Sequence, residues 1–158
     1  AVKAGLRPSI ASRVSRFTYG VGISMPFERG KDPKAKRFRD GYNVLRCRDR
    51  FAVFARTGDS LEVGETKWWD LSPTSPTDRE FELPIYAAER THPRFVDEPG
   101  SAQVGNLTVD VSSTIGRPAD KRIVRISMIF GHTEITVHAR DLNTARELST
   151  TIDFVTGG

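Results

Sequence analysis

Between residues 123 and 154 apolar side chains fall at every second position: Val124, Ile126, Met128 and Phe130, then Ile135, Val137 and Ala139. Arg125, Ser127, Glu134, Thr136 and His138 take intervening places. A period of two marks strands with one buried and one wet face, so this stretch predicts three antiparallel strands. Gly131-His132 and Asn143-Thr144-Ala145 supply the two reversals, because Gly and Asn tolerate the backbone angles of tight turns. The same period runs through Phe17, Tyr19, Val21 and Ile23 in residues 16–24, Phe81, Leu83 and Ile85 in 80–88, and Leu107, Val109 and Val111 in 104–111. Residues 50–71 predict two further strands around Thr57-Gly58-Asp59. Pro84 assigns its strand to an edge or a distorted position, since proline donates no ladder bond. Residues 1–6 read as the last turns of a helix stopped at Arg7-Pro8, and 72–78 and 89–103 as loops. The expectation is an all-β fold, an antiparallel β-sandwich of about eight strands preceded by the end of a helix.

With 158 residues the chain is long enough for one domain with a sizeable core. No apolar run approaches the roughly 20 residues needed to cross a bilayer, so no membrane span is expected. No signal peptide is visible, and the single cysteine, Cys47, cannot form an intramolecular disulfide. Both features favour a cytoplasmic location.

Charge is unevenly placed. The formal net charge is +4, yet residues 29–50 hold nine Lys or Arg against three Asp, so this segment carries +6 and the remainder −2. Pro33, Gly30, Gly41 and sparse apolar residues make it read as a long surface loop, an insertion covering 26–50. A solvated loop is the plain reading. The sharper one makes Lys34, Lys36, Arg37 and Arg39 a contact for an acidic partner, nucleic acid or an anionic surface. Only Phe38 and Tyr42 interleave with the charges, which is thin for stacking single-stranded bases.

Catalytic patterns are absent: there is no G-x-S-x-G and no P-loop. His92, His132 and His138 lie in a loop, a turn and a strand without a third ligand, so no metal is assigned. Cys47 reads as an ordinary thiol. The fragment is not expected to be an enzyme.

The order of strand, Gly-containing turn, strand ending Ala139-Arg140-Asp141, short polar turn and last strand resembles the close of the peptide-binding β-domain of the 70-kDa heat-shock chaperones, the DnaK family. There the run reads F-D-I-D-x-x-G-I-L-x-V-x-A-x-D. FTYGVGI (17–23) resembles that domain's first strand, L-S-L-G-I-E-T, and FARTGDSLEVGE (54–65) resembles I-A-K-N-T-T-I-P-T-K. EFELPIYAAER (80–90) resembles A-V-T-I-x-V-x-Q-G-E-R, with Glu89-Arg90 shared, and VGNLTVD (104–110) resembles L-G-x-F-x-L-x-G. AVKAGL resembles the end of the family's nucleotide-binding domain. The resemblance thus divides the chain into 1–15, the end of that domain and a linker, and 16–156, a β-sandwich substrate-binding domain. The polar, basic residues 9–16, the expanded loop, the phrase Tyr19-Gly20-Val21-Gly22 and an end at Gly158 resemble the divergent animal branch numbered twelve, whose members lack the standard linker and lid.

The resemblance implies a stress-response chaperone module that captures extended hydrophobic peptides of client proteins. It implies no cofactor in this fragment, with ATP bound on the absent domain. Alternate strand residues can line a pocket while main-chain groups pair with a peptide. Carried over by position, Phe81, Leu83, Val21 and Ile23 match pocket-lining strand positions, Trp69 matches the pocket phenylalanine, and Ser24 and Ser72 fall near the residues that arch over the peptide. Core packing would use Phe81 and Leu83 equally well, and two bulky rings, Phe81 and Trp69, could fill the pocket. The alternative function is a non-catalytic interaction domain whose basic loop binds an acidic partner or nucleic acid.

Overall fold

A computed structural model of the chain describes residues 12–154, and within them the alternation resolves into antiparallel sheet. In chain order the strands are β1 (Ser12–Val14), β2 (Thr18–Pro26), β3 (Arg37–Arg39), β4 (Leu45–Ala55), β5 (Ser60–Glu62), β6 (Glu65–Leu71), β7 (Glu80–Ala88), β8 (Ser101–Asp110), β9 (Val124–Phe130), β10 (Glu134–Asp141) and β11 (Glu147–Asp153). Eight are long and three, β1, β3 and β5, have three residues each. Helical structure among the described residues is confined to short 3-10 turns. The helix end expected at residues 1–6 lies outside them.

One sheet runs β3-β4-β2-β7-β8 and the other β11-β10-β9-β6, while β1 pairs with β5. The alternation dictates which side chains each large sheet turns into the core. Ile126 and Met128 of β9 stand beside Ala139 and Val137 of β10, and Val21 and Ile85 pair across β2 and β7; all six are buried. Each large aliphatic side chain removed from water contributes about 1.5–3 kcal/mol. At one margin the sheets come together through β8 and β11, where a side chain on Gly105 would place its Cβ 2.8 Å from Ile152 Cγ2.

Three readings are corrected. The basic segment is not a single long loop: β3 and the first six residues of β4 take nine of its 22 positions, a 3-10 turn at Lys34–Lys36 precedes them, and β4 sits inside the five-stranded sheet. Its alternation was hidden because Arg46 and Arg48 take every second place beside Leu45 and Cys47, and because Asp49, at φ 62, breaks the phase before Phe51. Residues 12–14, assigned to a linker, form β1 and pair with β5. Finally, 50–71 holds parts of three strands rather than two.

Candidate functional site

β2 and β7 are neighbours for only part of their length. Their ladder covers Thr18–Val21 against Ile85–Ala88 and ends at the pair Val21↔Ile85. Beyond that pair β2 continues along β4 to Pro26, and the preceding part of β7, from Glu80, runs along β8. Pro84 therefore lies in an interior strand, but where that strand has only one partner, which reconciles it with the rule that proline avoids paired positions. A cleft of about 520 Å³ is lined by the two separating strands.

Its apolar lining comes from both sheets: Ile23 and Met25 of β2, Phe81 and Leu83 of β7, Trp69 and Leu71 of β6. Leu83 is fully buried, while the others are partly buried and pack on the main core. Trp69 is fixed by its indole N–H, which donates to the Val53 carbonyl at 2.9 Å. Its neighbour Trp68 points the other way and is 53% exposed, with the Arg125 guanidinium 3.9 Å above its ring. Two walls complete the cleft. The β3–β4 hairpin supplies Phe38, Arg46 and Arg48, and the loop after β6 supplies Ser72, Pro73 and Thr74.

The walls meet at the hairpin tip. Gly41 N–H donates to the Thr74 carbonyl at 2.8 Å, and the Tyr42 hydroxyl donates to the Arg117 carbonyl at 2.8 Å. The 72–78 loop is braced from within by Arg122, which is fully buried and donates to the carbonyls of Ser75, Asp78 and Val111 and to the Thr114 hydroxyl, at 2.6–3.0 Å. A buried guanidinium needs such a set of acceptors, because each unmet donor would carry a desolvation cost. On the other wall Arg46 holds Ser24, donating to its hydroxyl at 2.8 Å and its carbonyl at 2.7 Å.

Of the residues singled out from the sequence, Ile23, Ser24, Trp69, Ser72, Phe81 and Leu83 line this one cleft. Val21 does not; it is fully buried where β2 and β7 still pair. Phe38, Arg46 and Arg48 were missed with β3 and β4. Arginine at every second position of residues 46–50 was the signal that could have found them.

No family profile matches the chain. Heat shock 70 kDa protein 12B of Homo sapiens is 33% identical over 98% of the chain. Heat shock 70 kDa protein 12A of Homo sapiens and of Mus musculus share the same identity and coverage. The chain belongs to the 70-kDa heat-shock family. It spans about a quarter of the length of these curated relatives, 24% of 12B and 23% of 12A. Kinship with heat-shock proteins makes this a chaperone-related domain.

In this heat-shock domain part of the basic segment is engaged with its own surroundings. Lys36 bridges Asp49 at 3.0 Å and Asp97 at 2.5 Å. Arg94 donates to Asp32 and Glu28, and Arg50 lies 3.4 Å from Glu28, so the segment is tied to the loop after β7. Burial pushes the Asp32 carboxyl up, but the Glu28 amide and the Arg94 guanidinium outweigh it and hold the group below its ordinary value. Arg37 lies over the Phe27 ring and Arg39 donates to the Asn43 carbonyl, and both are exposed, as is Lys34. The four cations once read as a single contact patch thus have separate surroundings. Cys47 is buried, and burial pushes its thiol up, away from reactivity. Among the described residues no group of three metal-ligating side chains occurs, and no helix is long and apolar enough to cross a membrane.

Proposed function

We propose that this domain captures extended, apolar segments of client proteins in the cleft between β2 and β7. The observation that carries the reading is the early end of the β2–β7 ladder beside an apolar cavity. Past Val21↔Ile85 each strand keeps a side that is not paired to the other, so a peptide can add there as a strand while an apolar side chain enters between Phe81, Trp69 and Ile23. Main-chain pairing supplies affinity for any sequence, and the pocket selects apolar side chains. In a longer protein of this family, capture would be coupled to ATP on a separate domain, in the cytoplasm; no residue of this chain is assigned to the nucleotide.

The test is fluorescence-anisotropy titration of labelled Leu-rich heptapeptides at low and high salt. Saturable binding that salt barely changes is the expected result. Binding only to a labelled polyanion, lost at high salt, would transfer the function to the basic segment, because counterion release drives such binding. Phe81→Asp is the diagnostic variant, since Phe81 is only half-buried and lines the cleft. Losing its apolar contact removes about 1.5–3 kcal/mol, so affinity should fall roughly tenfold or more with the fold retained by circular dichroism. Undiminished affinity would remove the cleft as the binding site. Leu83→Asp is less informative, because it places a charge at a fully buried position and threatens folding.

A further inference from the structure

Five charged residues line the cleft, and their surroundings differ. Asp49 is paired with Lys36 at 3.0 Å. Asp70 accepts from Arg125 through both carboxylate oxygens, at 2.9 and 3.0 Å. Glu82 accepts from the Thr108 hydroxyl at 2.5 Å and the Asn106 amide at 3.4 Å. Arg46 is spent on Ser24, with Asp40 3.8 Å away. Arg48 is the exception. It is exposed, and among the described residues its guanidinium has one partner, the Phe38 ring, whose centroid lies 5.1 Å from the guanidinium carbon.

That placement follows from the strand. Arg46 and Arg48 are two residues apart on β4, so they share a face, while Cys47 between them turns to the opposite side and is buried. Phe38 pairs with Arg46 across β3 and β4, which brings its ring to the same face. The ring holds the planar guanidinium at the cleft wall and leaves its N–H donors unused, and a fork of donors suits a carboxylate.

We propose that Arg48 makes the cleft selective for apolar segments carrying an Asp or Glu beside the anchoring residue. The proposal rests on the peptide-capture reading and names its ligand class. A cavity of 520 Å³ has a linear dimension of about 8 Å, roughly two to three residues of extended chain at about 3.3 Å each. An acidic side chain within about that distance of the buried anchor therefore comes within reach of the β4 wall. A basic side chain there meets Arg48 instead; Asp49 and Asp70 already hold their cations, and Glu82, on the opposite wall, is engaged by the Thr108 hydroxyl and the Asn106 amide without a cation. The pairing of an exposed guanidinium with one carboxylate is modest, and covering by the peptide strengthens it, so a three- to tenfold preference is expected, as an order of magnitude.

The experiment uses three labelled heptapeptides with one Leu-rich centre, bearing Asp, Lys or an uncharged residue two positions from the central Leu. Each is titrated against the wild-type chain, Arg48→Gln and Arg48→Glu. The wild type should favour the Asp peptide over the Lys peptide, Arg48→Gln should level the two, and Arg48→Glu should reverse the order. Equal affinities in the wild type, or a preference that survives Arg48→Glu, would overturn the proposal while leaving capture of the uncharged peptide intact. If none of the three binds, peptide capture itself fails and this selectivity falls with it.

Discussion

Gly20 has no room for a side chain. A Cβ there would strike the Ala52 carbonyl oxygen and lie 2.6 Å from a Phe51 ring carbon, at the point where the β2–β4 register shifts between Tyr19 and Gly20. The obstructing oxygen belongs to backbone inside the ladder, so relief requires moving a strand rather than a rotamer. Gly20→Ala should therefore destabilise by about 1–3 kcal/mol or more, read as a lower urea midpoint with a similar slope. A wild-type midpoint would mean the two strands are farther apart than described. Alternation in 16–24 was readable from sequence, whereas the need for glycine was not, because it arises from a strand thirty residues away. The same holds for Trp68 and Trp69. Adjacent residues on a strand must face opposite ways, but alternation does not say which ring turns to the cleft; the resemblance assigned Trp69, which lines it, and Arg125 of β9 covers Trp68 on the other face.

The segment before the β3–β4 hairpin shows how charge can join elements. Asp32, its side chain wholly buried, accepts from the Glu28 amide at 2.8 Å and from Arg94 at 2.7 Å, linking the segment before the hairpin to the loop after β7. Because its folded-state value is depressed, Asp32 contributes stability in full above the ordinary aspartate value of about 3.9 and loses it as pH falls through the lower folded value. Asp32→Asn should cost about 1–3 kcal/mol at neutral pH, and the gap to wild type should stay level between pH 7 and 5, then close below pH 4. A gap of constant size down to pH 3 would detach Asp32 from the network. A charge tally told correctly that positive residues cluster here. It missed that their counter-charges come from Glu28 and Asp97, just outside the basic stretch or distant in sequence, which is why the segment read as solvated loop.

Across the whole molecule the sandwich closes at one margin and opens within the five-stranded sheet. At the margin Gly105 of β8 lets Ile152 of β11 approach. Gly105→Val should force the sheets apart at a cost of about 1–3 kcal/mol, and adding Ile152→Ala should recover part of it, a non-additivity expected only of touching residues. Strict additivity would show that the two do not meet. Most of the long strands were legible because their apolar residues alternate in sequence, β4 being the exception; their partners were not, because pairing is decided by residues far apart in sequence. The resemblance named most of the residues that line the cleft, yet not the parting of β2 from β7 that sets them around one cavity. The junction at the hairpin tip carries a last consequence, one of timing. Gly41 ties the tip to Thr74 and Tyr42 ties it to Arg117 in the loop after β8, each bond worth about 1 kcal/mol net, so a form with the tip released from both would be roughly thirtyfold rarer than the joined one. If capture as proposed above requires the tip to lift, a segment would both enter and leave through that minor form, and the same two contacts would limit its arrival and its departure.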